Sequence, residues 1–310
     1  MIRLIRTLFL ISILVYLVWT LGELGWAEVL ANLPTQSLFY VLFLALYFLL
    51  PVAEVVMYRL TWTFDALRSF PAFLKKRVYN REVMGYSGEV YFFSWARREI
   101  GGPEARLLET IRDNNILSSV SSTLVVVILL TVFLLAGELR LGELIGKDWA
   151  AYLVGGTLLT AGLIPLAYRY RQFLFSMPAR TALLILSLQS LRLLVGQVLQ
   201  IGQWAVVMPE VPLQVWFTFA ALSLIVTRIP FIPNQNLVFM GAGIELSHAV
   251  DISTASIAGM LLVTNVLDKV LNLALFGLAT VMDRRSGAEP DDHAAEAETP
   301  DREAKRPDEV

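Results

Sequence analysis

Long apolar runs dominate the chain, at roughly 4–22, 36–57, 116–136, 149–168, 182–207, 214–232 and 254–281. Most reach or approach the ~18–20 residues that a helix needs to cross a bilayer. Polar residues gather between the runs. Backbone in hydrocarbon must satisfy its own hydrogen bonds, so runs of this kind form helices. The pattern therefore predicts an all-α fold: a polytopic membrane helix bundle of seven to eight spans.

Two stretches break the pattern. "RIPFIPNQNLVFMGAGIELS" (228–247) packs two prolines, three amides, two glycines and a glutamate into twenty positions. "NREVMGYSGEVYFFSWARR" (80–98) is its counterpart in the first half. At a shift of 156 residues Asn80 meets Asn236, Met84 meets Met240, Gly85 meets Gly241 and Glu89 meets Glu245. Each stretch is weakly apolar, interrupted by glycine and closed by a carboxylate. The expectation is two Gly-broken re-entrant or half-helix segments. Irregular backbone at membrane depth must be buried in protein or line a watery cavity. Paired interruptions in corresponding halves point to a transporter's binding site, and a half-helix N-terminus suits a phosphate or carboxylate. Glu89 and Glu245 would then hold a cationic group, pair with an arginine or carry a proton. A purely structural re-entrant loop is the alternative.

Composition sharpens this reading. The 310 residues are 56% hydrophobic and 17% charged. The net charge of −2 hides an asymmetry: residues 283–310 hold ten acidic and five basic residues, leaving twenty basic against seventeen acidic in the body. Residues 1–282 read as the integral membrane domain and 283–310 as a disordered acidic tail with almost no large apolar residues. The N-terminal run lacks a convincing cleavage site and reads as a retained span. Ten Lys or Arg lie between Tyr58 and Arg112, whereas 23–35 has none. The positive-inside rule then places the N-terminus in the cytoplasm of a bacterial inner-membrane-type protein. Eight crossings, with 228–247 as one of them, put the tail inside too; seven leave Arg284 and Arg285 outside.

Residues 58–80 mix aromatic and basic side chains. They read as an interfacial segment, with Trp62 and Phe64 dipped and Lys75, Lys76 and Arg77 at the headgroups, or as a cytoplasmic connector.

Gly85, Gly88 and Glu89, together with "RIPFIPNQNLVFMGAGIE", resemble the two glycine–acid elements of the membrane-embedded region of lysylphosphatidylglycerol synthases and related flippase-like proteins. Met84 stands where that family's first element carries proline. The resemblance implies a protein that moves a lipid or glycolipid headgroup between leaflets, without the soluble aminoacyl-transfer domain. It marks Gly85, Gly88, Glu89, Gly241, Gly243 and Glu245 as substrate-binding.

Charged and amide side chains inside the spans extend the site. Gln189, Arg192, Gly196 and Gln203 form one stripe, and Asn265, Asp268 and Asn272 another, with Lys269 alongside. A mid-span arginine costs ~2.5–3.5 kcal/mol even on a lenient scale and needs a partner. Arg192 and Asp268 are candidates for a buried pair and for the headgroup path; helix–helix glue is the alternative. Glu54, after Pro51, is a further candidate.

No catalytic motif stands out, no cysteine occurs, and the two histidines are far apart. No enzyme activity, metal, cofactor or nucleic-acid partner is expected. The expected function is a flippase-like lipid transporter. The alternative is a membrane subunit that docks or regulates an enzyme modifying cell-envelope lipid or glycan through its basic 58–112 segment.

Overall fold

The apolar runs fold into helices, and all regular structure among the described residues is helical. The computed structural model describes residues 26–83, 86–135, 176–227 and 235–285, with Val15, Val18, Trp19 and Gly22. The expected spans at 4–22, apart from those four positions, and at 149–168 fall outside the described residues. So does the tail beyond Arg285.

In chain order the helices are α1 (Trp26–Ala31), α2 (Ser37–Tyr58), α3 (Ala66–Val78), a π-helical turn (Tyr79–Val83), α4 (Ser87–Glu99), α5 (Glu104–Leu135), α6 (Ala179–Val207), α7 (Leu213–Val226), α8 (Gln235–Ala249) and α9 (Thr254–Arg285). Four of them, α2, α5, α6 and α9, are long and apolar enough to cross a membrane. At 1.5 Å per residue the 22 residues of α2 reach about 33 Å, which matches the ~30 Å hydrocarbon core. Only 11% of the most apolar window of α6 is buried against protein. Leu183, Leu191, Val198, Val270 and Leu273 are exposed. Apolar surface this extensive on helices this long supports a membrane protein.

Two shorter helices fill the space between the spans. The α7 sequence is apolar on all sides, which suits a central helix, and Trp216, Phe219, Ala220 and Ala221 are fully buried. It ends at Val226, short of the 214–232 span expected from hydropathy; Pro230 has no N–H to offer the Val226 carbonyl. The 15 residues of α8 extend about 22 Å, too short to cross alone. The main core joins these helices to Phe39, Trp204, Ile257 and Met260.

In the 58–80 segment, Trp62, Lys75 and Lys76 are packed inside the protein instead of standing free at its surface. Tyr58, Trp62, Phe73 and Phe92 form a buried aromatic cluster between α2, α3 and α4. Lys76 is held inside by Glu54 at 2.7 Å and by the faces of Tyr58 and Phe92.

Asp65 starts α3: its Oδ1 accepts from the backbone N–H groups of Leu67 and Arg68, both at 2.9 Å. The Arg68 N–H, and to a lesser degree that of Leu67, hold this carboxyl below its ordinary value. A depressed folded-state pKa means that the cap stabilises the fold above the unfolded-state value and is lost as pH falls through the folded-state one. Asp65→Ala should therefore lower the thermal unfolding midpoint in detergent at neutral pH, with the difference from the parent closing in strong acid. A pH-independent difference would show that the carboxylate does not act as the cap.

Candidate functional site

A cavity of about 220 Å³ lies between α2, α3, α6, α7, α8 and α9. Its polar lining comes from Arg77 and Arg81, Gln200 and Gln203, Ser223 and Thr227, Gln235 and Asn236, Thr264, Asn265 and Asp268. Phe43, Tyr47, Trp204, Phe239 and Leu261 supply apolar wall. This density of amides and charges, among helices that present hydrocarbon to the outside, is costly unless it serves a polar ligand or a hydrogen-bond network.

The network is centred on Asp268 of α9. Arg77 Nη2 donates to its Oδ1 at 3.3 Å and Arg81 Nε to its Oδ2 at 3.0 Å. Asn272 Nδ2 donates to Asp268 at 3.4 Å and to Glu82 at 2.6 Å, and Lys269 pairs with Glu82 at 2.6 Å. Tyr47 donates to Asn272 Oδ1 at 2.6 Å, and its ring carries the Arg77 guanidinium 4.1 Å from its centroid. Burial, and then the like charge of Arg81, pull the Arg77 pKa below its usual value; arginine remains a cation there. Arg77 and Arg81 are four apart and straddle the start of the π-helical turn, which lets both guanidinia reach one carboxylate. Turns of this kind recur at functional sites.

A second buried cluster sits behind the first. Lys76, with a side chain only 3% exposed, pairs with Glu54 at 2.7 Å and lies 3.9 Å from Glu89. Its ammonium stands over the rings of Tyr58 and Phe92. Burial alone would pull the Lys76 pKa down, but Glu54, Tyr58 and Glu89 outweigh burial and hold it above the usual lysine value. Asn80 binds this cluster to α4: its Oδ1 accepts from the Gly88 N–H at 2.8 Å, and its Nδ2 donates to Glu89 Oε1 at 3.1 Å. It thereby caps a helix whose own N-cap, Tyr86, lies in the left-handed region at φ 69° and offers no side-chain cap bond.

Among the residues picked from sequence, Gln203, Asn265 and Asp268 line the cavity. Gly88 and Glu89 belong to the Lys76 cluster, and Gly85 lies outside the described residues. The expected Arg192–Asp268 pair does not form. Asp268 is taken by the two α3-end arginines, and Arg192 Nε donates to Gln189 Oε1 at 3.1 Å within its own helix. The two glycines of α8 do not break it: Gly241 and Gly243 lie inside an uninterrupted helix. There Gly243 serves close packing, since its Cβ would come within 3.0 Å of Leu261 and 3.4 Å of Phe219. Glu245, on the same helix, is exposed and does not line the cavity. The counterpart pair Glu89 and Glu245 therefore play different parts.

Sequence reasoning missed Arg77, Arg81, Gln200 and Asn236 as lining. A usable signal existed: two arginines four apart in a segment bearing aromatics, set against a lone aspartate inside a span, call for each other. Comparison of the chain with family models, with curated proteins and with solved structures finds no match.

Proposed function

We propose that the protein is a membrane transporter that passes the polar headgroup of a lipid between leaflets through the α2–α3–α6–α7–α8–α9 cavity. The observation that carries this reading is the cavity itself: eleven polar side chains gathered at one place inside a bundle whose outer faces are apolar. A headgroup crossing bare hydrocarbon would lose its hydration, and amides with paired charges replace it. The short helix α8 brings Gln235 and Asn236 to the lining. The likeness of residues 85–89 and 228–245 to flippase-like elements points the same way.

The docking-subunit reading rests on the basic 58–112 segment, of which Arg59, Arg68, Arg97, Arg98, Arg106 and Arg112 are exposed. Lys75 and Lys76 are buried and Arg77 is bound to Asp268.

The test is reconstitution in vesicles with leaflet-labelled lipids, comparing the parent with Asn236→Phe and Thr264→Phe, which fill the cavity without removing a charge. Both variants should remain folded and lose at least about tenfold in translocation rate, equivalent to ~1.4 kcal/mol on the rate-limiting barrier. Unchanged rates in both folded variants would rule out this cavity as the path. The cysteine-free chain adds a direct check: single cysteines at Asn236 and Thr264 should react with a membrane-impermeant thiol reagent.

A further inference from the structure

We propose that the group recognised in this cavity is an anionic phosphate ester, and that Asp268 is the internal counter-ion with which it competes for Arg77 and Arg81. The proposal rests on the headgroup reading of the same cavity and narrows it to one chemical class.

Charge gives the first argument. The charged lining consists of Arg77, Arg81 and Asp268, two cations against one anion. Outside the lining, the Lys269–Glu82 pair is internally neutral, and the Lys76 cluster sets one ammonium against Glu54 and Glu89. A ligand entering this site meets a positive excess in surroundings where screening is weak. An anion is attracted and an ammonium-bearing headgroup is repelled.

Donor count gives the second. Arg77 has a side chain only 10% exposed, yet its Nε is buried without a hydrogen-bond partner among the described residues. A guanidinium carries five N–H donors, and Asp268 takes only one bond from Arg77 and one from Arg81. Among the described residues Arg77 Nε keeps no acceptor, and a phosphate offers more acceptor oxygens than a single carboxylate. Arginine forks suit such groups. Arg81, 38% exposed against 10% for Arg77, is the side chain free to turn from Asp268 to a ligand.

The third argument is what else faces the site. Gln235 and Asn236, in the first turn of α8, line the cavity, which brings the positive end of that helix to the same place as the arginines. Gln200 Nε2 donates to Gln203 Oε1 at 3.0 Å, so this amide pair can re-form around an oxyanion. Volume adds a limit. About 220 Å³ is below the ~300–1,000 Å³ typical of pockets that enclose drug-sized ligands. The room suits a phosphate with a small substituent and excludes a headgroup of several sugars.

The experiment measures binding to the full-length protein in nanodiscs, by thermal shift and by displacement of a fluorescent phospholipid. Three probes are used: phosphatidic acid in the disc, sodium phosphate in solution, and phosphatidylcholine as the zwitterionic control. Phosphatidic acid should raise the unfolding midpoint and phosphatidylcholine should not. Asp268→Asn removes the competitor and should tighten phosphatidic acid binding. Arg81→Gln should weaken it at least about tenfold, the weight of one charge-assisted hydrogen bond. Because Arg81 is partly exposed, its variant keeps the test valid should Asp268→Asn fold poorly. Stabilisation by sodium phosphate alone, sensitive to Arg81→Gln, supports the site with a free phosphate as its source. Equal response to phosphatidylcholine, or phosphatidic acid binding indifferent to Arg81→Gln, overturns the proposal. Phosphate binding without lipid translocation removes the transport reading and leaves this assignment standing. Translocation that proceeds without any phosphate preference does the reverse.

Discussion

Gly88→Ala is expected to destabilise the protein by about 1–3 kcal/mol, the cost of forcing a methyl group into a filled space. The added Cβ would run into the backbone carbonyl oxygen of Lys76 and would stand 2.7 Å from both Cγ and Oδ1 of Asn80. A flexible side chain could swing away from such a contact; a helix carbonyl cannot. The relief available is for α4 to lift off α3, and that strains the Gly88 N–H bond to Asn80 and the Asn80 bond to Glu89. It also loosens Phe92, which is fully buried against Tyr58 and Phe73. Gly277→Ala in α9 is the matched control. Nothing lies within 4 Å of its Cβ position, so alanine there should be neutral or stabilising by up to ~1 kcal/mol. Thermal unfolding of both variants in one detergent separates the two outcomes. Equal stability of Gly88→Ala and the parent would mean that α4 does not pack on α3 at this residue.

Gly88 also shows how far the sequence could be read. Its neighbourhood in the chain, glycine-rich and followed by Glu89, marked a special place. The apolar runs located α2, α6 and α9 to within a few residues, whereas α5 begins twelve residues ahead of the expected 116. The reason for the glycine was hidden, because Lys76 sits twelve positions upstream and meets it only after the chain reverses. The same limit explains Asp268. Its position in a span announced a partner, and sequence distance gave no means of preferring Arg77 and Arg81 over Arg192. The two-glycine pattern misled in α8 because glycine serves two ends, a break in the helix and a close approach to a neighbour, and Gly243 serves the second. A side chain held inside by a carboxylate and aromatic faces, such as Lys76, looks like a headgroup ligand until the cluster around it is known.

Lys76→Met should have the largest effect on stability. Lys76 is one cation held among Glu54, Glu89, Tyr58 and Phe92, and the side chains of the two carboxylates are 13% and 16% exposed. Methionine keeps most of the volume and leaves both carboxylates without their counter-charge, with Glu89 Oε2 already buried and unpartnered among the described residues. Breaking a buried pair by removing one member costs about 3–5 kcal/mol, whereas removing both members together can be close to neutral. The two cases predict a sign. Glu54→Gln combined with Lys76→Met should be more stable than Lys76→Met alone, with a coupling energy of ~0.5–3 kcal/mol in a double-mutant cycle. Glu89 bears on function as well, because through Asn80 and the π-helical turn it joins the helix segment that carries Arg81 into the cavity. If the Lys76 cluster only fixes that segment in place, the double variant recovers folding and translocation together. If the charge itself takes part in the transport cycle, it recovers folding while translocation stays slow. Unfolding midpoints and vesicle translocation rates measured on the four proteins of the cycle decide between these, and additive stabilities with no coupling would contradict the pairing of Lys76 with Glu54.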